Sequence, residues 1–296
     1  MNLSDDNLNL NKIVSLNIDP NIKPNILLAL LAYIDKIVTS YPPPYTLMCS
    51  GGADSQVMLW AWELSGHEYT AVHITYDDYN KFDTDTLDEF TKKYQILYKK
   101  INFDVVNFLE NDLDTYARKY QCASPHICTY IAMSELIPDG TKIFSGNLVY
   151  VSGNLSINNT IFGLQRYATI SKNSIIPFFL LQDDNVISAA AKLYNNLDKS
   201  SIPKFGNSNG TDIGYLVKTL MYTTAGIPII SQNKNFTGFD RIKEYYDQFQ
   251  NRVSFKEKMQ YSMYGSRRIF DHLFRHKYYI EFRNDYSATV RLVINN

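Results

Sequence analysis

The sequence predicts an α/β fold with a doubly wound parallel sheet, flanking helices and a mainly helical C-terminal portion. Short runs rich in β-branched and aromatic residues occur at 45–49, 69–75, 101–106 and 142–144, with helix-like stretches between them. Strands separated by helices indicate a parallel sheet with helices on both faces. Ligands of such sheets bind beyond the carboxyl ends of the strands, so we expect the loops after residues 49, 75 and 144 to converge.

The chain up to residue 64 contains a polar segment, two predicted helices and the first predicted strand. Residues 1–22 are Asn-rich and polar, and we interpret them as a loose arm. The apolar run 26–38 predicts a helix that ends before Pro42. The first strand then leads through a Gly-Gly turn directly into a predicted helix at 54–64.

Three further patterns place helices downstream. Thr86-Leu-Asp-Glu89 matches a capping box and predicts the start of a helix. Residues 127–136 also read as helical. From about residue 175 the chain is mainly helical, the Gly/Asn/Ser-rich run 204–211 predicts a loop or linker, and the chain ends in a β-hairpin pattern.

Composition limits the class of protein. The chain has 296 residues, is 45% hydrophobic and carries a formal net charge of −1, which argues against a protein that coats nucleic acid through bulk charge. Its three cysteines, Cys49, Cys122 and Cys128, form neither a disulfide framework nor a Cys-x-x-Cys motif. No apolar stretch approaches the roughly 20 residues of a membrane span. We expect a soluble, cytoplasmic protein without a membrane partner, and its oligomeric state stays open.

The turn Ser50-Gly-Gly-Ala-Asp-Ser55 is the most informative motif of the chain. Glycines allow positive φ and a close approach of backbone N–H groups to a ligand, and the following helix adds unpaired donors and partial positive charge. A carboxylate such as Asp54 fits a phosphate site when a cation lies between them, which indicates a magnesium-bound polyphosphate. The alternative is an Asp-Ser helix cap after an ordinary Gly-Gly turn.

This turn lacks the Gly-Lys-Ser/Thr of a Walker A loop and resembles the Ser-Gly-Gly-hydrophobic-Asp-Ser signature of the N-type ATP pyrophosphatases, the PP-loop family. The resemblance implies a HUP-like fold, with ATP and Mg²⁺ as cofactors and ATP cleaved between its α and β phosphates. The implied nucleotide-binding residues of the loop are Ser50, Gly51, Gly52, Ala53, Asp54 and Ser55, and Asp54 is the implied metal ligand.

Downstream segments are similar to the carboxy-terminal domain of asparagine synthetase. Ile176-Pro-Phe-Phe-Leu, Lys218-Thr-Leu-Met, Gly226-Ile-Pro228 and Lys234-Asn-Phe-Thr-Gly238 recur in that family's order. The resemblance covers roughly residues 40–240 and implies adenylation of a carboxylate or carbonyl, followed by transfer to an amine or ammonia. In that reading Lys234, Lys218 and Asp54 are catalytic, because fixed cations stabilise the charge that builds up as pyrophosphate leaves. The alternative interpretation is that Lys234 is a solvated lysine in an Asn-rich loop.

Other implied contacts rest on position. His73, Ile74 and Thr75 end the second strand, where family members bind adenine through backbone groups, and Gly146 belongs to the family's second motif. That motif, Ser-Gly-Glu-Gly-Ala-Asp-Glu, falls at residues 145–151, where Asn147, Tyr150 and Val151 replace its carboxylates. Asparagine synthesis itself is therefore not expected. The chain shows no glutaminase domain, so the expected nitrogen donor is ammonia or a substrate amine.

The resemblance also suggests a division of the chain. We expect an N-terminal polar arm and helix at 1–40, a PP-loop ATP pyrophosphatase domain at 41–240, and a C-terminal helix and β-hairpin extension at 241–296.

Two other functions stay open. Cys122 and Cys128 with His126 between them would suit a PP-loop sulfurtransferase or a nucleobase-modifying enzyme. The basic C-terminal segment around Arg267 and Arg275 could then bind tRNA or DNA, although acidic residues are mixed into it. The replaced second motif is also compatible with a degenerate nucleotide-binding protein that is not an enzyme.

Overall fold

A computed structural model describes residues 13–17, 21, 23–120, 122, 124–137, 139–146, 148–151, 154–157, 175–176, 183–198, 213–230, 238–247 and 290–295. The strands in these ranges are β1 (Ile13–Asn17), β2 (Tyr45–Met48), β3 (Thr70–Thr75), β4 (Tyr98–Asn102), β5 (Thr141–Phe144), β6 (Leu148–Val151), β7 (Asn154–Ile157), β8 (Ile175–Ile176) and β9 (Val290–Asn295). The helices are α1 (Ile26–Ser40), α2 (Ala53–Ser65), α3 (Lys81–Tyr94), α4 (Val105–Asn107), a π-helical turn (Phe108–Asp112), α5 (Leu113–Tyr120), α6 (Pro125–Glu135), α7 (Asp184–Asn196), α8 (Ile213–Thr224) and α9 (Gly238–Asp247).

The main sheet is parallel and has the order β4-β3-β2-β5-β8 within the described residues. Helices flank it, so the predicted α/β class is confirmed. The strand order reverses at β2, because β3 lies on one side of it and β5 on the other. This reversal is the topological switch point of the sheet. Open α/β folds bind their ligands there, in the crevice beyond the carboxyl ends of the strands. The loops after β2 and β5 therefore border the expected binding crevice.

Strand β2 is the centre of the core. All four of its residues are buried, as expected for a parallel strand covered on both faces. Helix α1 buries residues at helical spacing, including Ile26, Leu30, Ile34 and Ile37, and packs against α2 and α7. The fully buried Trp62 of α2 stacks near Tyr45 of β2, with ring centroids 5.5 Å apart. These core contacts fix the positions of β2 and α2, and therefore of the turn between them.

A second sheet joins distant parts of the chain in the order β1-β9-β7-β6. β1 pairs in parallel with β9, and β9 pairs antiparallel with β7 of the β6–β7 hairpin. The interpretation of residues 1–22 as a loose arm was therefore wrong for Ile13–Asn17. The terminal strand Val290–Asn295 pairs with strands from elsewhere in the chain. The predicted domain boundaries stay a prediction.

Two predicted element boundaries differ from those in the structure, and side-chain hydrogen bonds account for both. The strand predicted at 101–106 corresponds to β4, which ends at Asn102. The Asp104 carboxylate accepts a hydrogen bond from the Asn107 N–H and so starts a helix there. Helix α3 begins at Lys81, ahead of the proposed capping box. Thr86 lies inside that helix, and its hydroxyl donates to the Phe82 carbonyl.

No helix in the described part of the chain combines the length and apolar character needed to cross a membrane.

Candidate active site

The glycine turn lies at the switch point, between the end of β2 and the start of α2. Gly51 has a φ of +92°, and a Cβ on it would lie 2.2 Å from the Asp83 carbonyl oxygen at the start of α3. Both the left-handed backbone and this close approach require glycine. Gly52 is the N-cap of α2, so the N–H groups of the first helical turn, from Ala53 onwards, face the loop.

Three serine hydroxyls gather around this turn. The Ser55 Oγ accepts from the Ser50 N–H at 2.9 Å and lies 2.9 Å from the Ser50 Oγ. Ser145, directly after β5, brings its Oγ to 3.5 Å from the Ser55 Oγ. The next residue, Gly146, turns the chain with a φ of +84°. The loops after β2 and β5 therefore converge as predicted, and together they form a concentration of small hydroxyl and backbone donors.

Asp54 is buried, and both of its carboxylate oxygens are engaged by helix α8. The Lys218 Nζ donates to Oδ2 at 2.6 Å, and the Tyr222 hydroxyl donates to Oδ1 at 2.6 Å. Burial and the Asp54 carboxylate raise the pKa of Tyr222 well above its usual value, so this hydroxyl stays protonated and acts as a donor. The structure thus brings together Asp54 and Lys218, two of the predicted site residues.

The same contacts bear on the predicted metal. Mg²⁺ in nucleotide sites binds through one or two carboxylates plus substrate phosphates. The oxygens of Asp54 already accept from Lys218 and Tyr222, and the described residues contain no group of three His, Cys, Asp or Glu side chains that could hold a metal ion. As arranged, these residues do not fit a directly bound Mg²⁺. The metal role of Asp54 stays a prediction.

Gln56, one residue after the signature, also reaches across the site. Its side-chain Nε2 donates to the Gly51 carbonyl at 3.0 Å and to the Ile230 carbonyl at 3.1 Å. Its Oε1 accepts from the Ile230 N–H at 2.7 Å. The first turn of α2 is therefore tied to α8 by Asp54 and to the segment after α8 by Gln56.

His73 supports the loop from beneath. It is fully buried, and its Nδ1 lies 2.8 Å from the carbonyl oxygen of Cys49, the residue before the loop. Burial lowers the pKa of His73, and the nearby Lys100 lowers it further, although its bond to Cys49 and the charge of Asp88 act in the opposite direction. A carbonyl can only accept, so Nδ1 carries the proton of the neutral ring and Nε2 accepts from Thr84, 2.8 Å away.

The backbone expected to bind adenine already makes internal hydrogen bonds. The Ile74 carbonyl accepts from the buried Asn80 side chain at 2.8 Å, and the Thr75 carbonyl accepts from the Phe103 N–H at 2.9 Å. Asn80 also accepts from the Tyr76 N–H at 2.7 Å, so its amide shapes the whole turn after β3. Adenine recognition by His73, Ile74 and Thr75 stays a prediction. The His73 side chain is fully buried, with contacts to Cys49 and Thr84.

The cysteines are placed as core residues. Cys49, Cys122 and Cys128 are all buried and free. The Cys128 thiol donates to the Cys122 carbonyl at 3.7 Å, and the Cys122 thiol donates to the Ser124 carbonyl at 3.7 Å. Burial raises the pKa of Cys49 far above its usual value. A thiol that carries sulfur needs thiolate character and access, and the buried cysteines have little access.

Some predicted residues lie outside the described part of the chain. These are Lys234, Asn147, Pro177 and the basic segment around Arg267 and Arg275. Their proposed roles stay predictions.

Sequence reasoning missed several residues that build the site, namely Gln56, Tyr222, Asn80 and Ser145. Tyr222 lies four residues after Lys218 on one helix, so it shares a face with that lysine, and this spacing could have revealed it. Gln56 makes its contacts through a fold that brings residues 174 positions apart together, which leaves no local signal.

No protein-family model matches this chain, and no curated protein matches its sequence. Solved structures show distant similarity to this chain, and two of them are described here. One is the U34-tRNA thiolase NcsA from Methanococcus maripaludis with its 4Fe-4S cluster, with 14% identity, a TM-score of 0.33, and coverage of 71% of this chain and 83% of that one. The other is the NMN synthetase from Francisella tularensis, with 13% identity, a TM-score of 0.34, and coverage of 89% and 97%. At this distance neither structure assigns a reaction to this chain.

Proposed function

We propose that this protein is an ATP-dependent adenylating enzyme of the PP-loop type. It cleaves ATP to AMP and pyrophosphate, activates a carboxylate or carbonyl as the adenylate, and transfers it to an amine or ammonia. The observation that carries this proposal is the position of the Ser50–Ser55 turn. It lies at the carboxyl ends of β2 and β5, where the strand order of a parallel sheet reverses.

The residues around the turn suit an anionic polyphosphate. The N–H groups at the start of α2 and the hydroxyls of Ser50, Ser55 and Ser145 are donors for phosphate oxygens. Gly51 allows the loop to turn in a left-handed conformation against the Asp83 carbonyl, which holds the loop at the start of α2. As pyrophosphate leaves, negative charge grows on the departing oxygens, and donors held in fixed positions stabilise that charge.

Lysines supply the cations in this proposal. Lys218 is held beside the loop by Asp54 and sits on a helix packed against α2. Lys234, assigned by the sequence resemblance, follows the segment that Gln56 ties to Gly51. Carbon–nitrogen bond formation is favoured over sulfur transfer because the three thiols are buried in the core.

The test is to incubate the protein with Mg²⁺ and ATP labelled in the α-phosphate, together with a panel of carboxylates and ammonia. We expect label in AMP and formation of pyrophosphate. Ser55→Ala should lower this turnover at least about tenfold, because it removes a donor from the phosphate site. Ser134→Ala is the matched control, since Ser134 is equally buried but lies in α6 and donates to the Tyr130 carbonyl.

The other outcomes separate the alternatives. Release of ADP would overturn α–β cleavage. Tight ATP binding without turnover across the panel would favour the degenerate nucleotide-binding protein. AMP formation that appears only with a sulfur donor and tRNA or DNA would favour the sulfurtransferase.

A further inference from the structure

The imidazole ring of His73, in β3, joins the Ser50–Ser55 turn to the first turn of α3. Strand β2 ends at Met48, and the carbonyl oxygen of the next residue, Cys49, lies 2.8 Å from the His73 Nδ1. The other ring nitrogen, Nε2, lies 2.8 Å from the Thr84 hydroxyl oxygen. One side chain of the central sheet therefore connects the residue before the turn to helix α3.

A second contact joins the same two parts of the fold. Asp83 precedes Thr84 in the first turn of α3, and a Cβ on Gly51 would lie 2.2 Å from the Asp83 carbonyl oxygen. Asp83 thus packs directly against the turn at Gly51. Thr84 reaches the backbone at Cys49 through the His73 ring. Because two consecutive residues of one helix make these contacts, they restrict both the position and the orientation of the turn relative to α3.

Burial ties both ring nitrogens to these partners. His73 has no exposed surface, so a ring nitrogen that lost its partner could not turn to water instead. The Cys49 carbonyl can only accept, and Nδ1 therefore donates while Nε2 accepts the single hydroxyl proton of Thr84. That hydroxyl also lies 3.1 Å from the Asn80 carbonyl, which already accepts from the Thr84 N–H at 3.0 Å. The hydroxyl proton is thus available to His73 while Asn80 keeps a donor.

We propose that His73 is a positioning residue, which holds the Ser50–Ser55 turn against α3 in the conformation that binds the nucleotide. This inference rests on the proposed ATP-dependent function and deepens it. The buried ring acts through the Cys49 carbonyl and through Thr84. A turn held in this way presents its N–H groups before the ligand arrives, so binding loses less conformational entropy. The connection also explains a polar residue in the core of β3, between Val72 and Ile74.

The experiment compares the wild type with His73→Leu, which removes both ring bonds, and with Thr84→Val, which removes only the bond at Nε2. Hydrogen exchange of the Ser50 N–H, which donates to the Ser55 Oγ, reports whether the turn is held. This exchange should accelerate at least about tenfold in His73→Leu and about threefold in Thr84→Val. ATP should bind at least about tenfold more weakly to His73→Leu and about threefold more weakly to Thr84→Val.

Two further variants separate positioning from a general loss of stability. His73→Asn places an amide donor near the Nδ1 position and can keep the bond to Cys49, so ATP should bind at least about threefold more tightly than to His73→Leu. Thr91→Val is the matched control for Thr84→Val, since the Thr91 hydroxyl donates within the same helix. It should leave Ser50 exchange and ATP affinity within about twofold of the wild type. Across the folded variants, affinity should follow the bond to Cys49 and not the free energy of unfolding from urea titrations.

The outcomes are distinct. Failure of the wild type to bind ATP overturns both this inference and the proposed function. Wild-type ATP affinity in a folded His73→Leu variant overturns this inference alone. Unchanged exchange of the Ser50 N–H would show that the ring does not hold the turn, and it would also overturn the inference. Where His73→Leu does not fold, Thr84→Val and Thr91→Val decide the question, and equal ATP affinities in these two variants overturn the inference.

Discussion

The Lys218 Nζ lies 2.6 Å from the Asp54 Oδ2, and the two residues are 164 positions apart in the sequence. The pair is largely buried, with 14% and 11% of the side chains exposed. It connects the signature turn to α8. A buried carboxylate that loses its cation is expensive, so this pair is sensitive to the loss of either partner.

Lys218→Met should destabilise the protein by about 3 kcal/mol, because it leaves the Asp54 charge buried without its cation. Urea unfolding measures the loss. The matched control is Lys81→Met, which breaks the exposed pair with Asp85 and should cost less than about 1 kcal/mol. Adding Asp54→Asn to Lys218→Met should recover part of the stability, and strictly additive losses would contradict the coupling.

Asp54→Asn should abolish AMP formation while the protein stays folded. The carboxylate orients Lys218 and Tyr222 beside the loop, and a neutral amide would hold the lysine less strongly. The measurement is turnover of α-labelled ATP alongside circular dichroism. Unchanged turnover would show that Asp54 has no part in the reaction.

Gly51→Ala should cost about 2–4 kcal/mol, since alanine is strained at this positive φ and its Cβ would meet the Asp83 carbonyl oxygen. Gly66→Ala is the control. Gly66 also has a positive φ, +72°, but a Cβ there would meet no atom within 4 Å, so the expected cost is about 1 kcal/mol. Equal losses of stability in the two variants would show that the close contact between Gly51 and Asp83 adds nothing to the cost of the substitution.

His73 should make stability depend on pH. Burial lowers its pKa in the folded protein, so between that value and the unfolded value of 6.5 only the unfolded chain binds the proton. The folded protein therefore has its full stability, as far as His73 is concerned, above about pH 6.5. It loses stability as the pH falls towards the folded pKa, because the unfolded chain then gains a proton that the folded chain does not. The difference in the free energy of unfolding between the wild type and His73→Phe should therefore become smaller from pH 7.5 to pH 5. A difference that stays constant from pH 7.5 to pH 5 would contradict the assignment.

Replacement of Cys122 and Cys128 by alanine distinguishes amide formation from sulfur transfer. Both thiols are fully buried and donate to backbone carbonyls, so we expect a stability loss of about 1–2 kcal/mol and AMP formation within about twofold of the wild type. Loss of turnover in a folded double variant would instead favour sulfur chemistry.

The order of elements could be predicted from local patterns because strand and helix periodicity are local properties. The turn at 50–55 was recognised since glycine, serine and aspartate occur there at fixed spacing between a strand and a helix. Boundaries were less accurate where a single side chain decided them. Asp104 ends β4 by capping α4, and Thr86 bonds within α3 although its spacing to Glu89 suggested a helix start.

Neighbouring residues were enough to predict the α/β class and to locate the Ser50–Ser55 turn between a strand and a helix. The contacts around that turn could be seen only in the folded protein. It paired Asp54 with Lys218 and Tyr222, bridged Gln56 to Ile230, and placed the His73 ring under Cys49. It also joined Ile13–Asn17 to Val290–Asn295 at opposite ends of the chain. Such contacts arise when distant segments share one core, and hydrogen bonds across it have no periodicity along the chain.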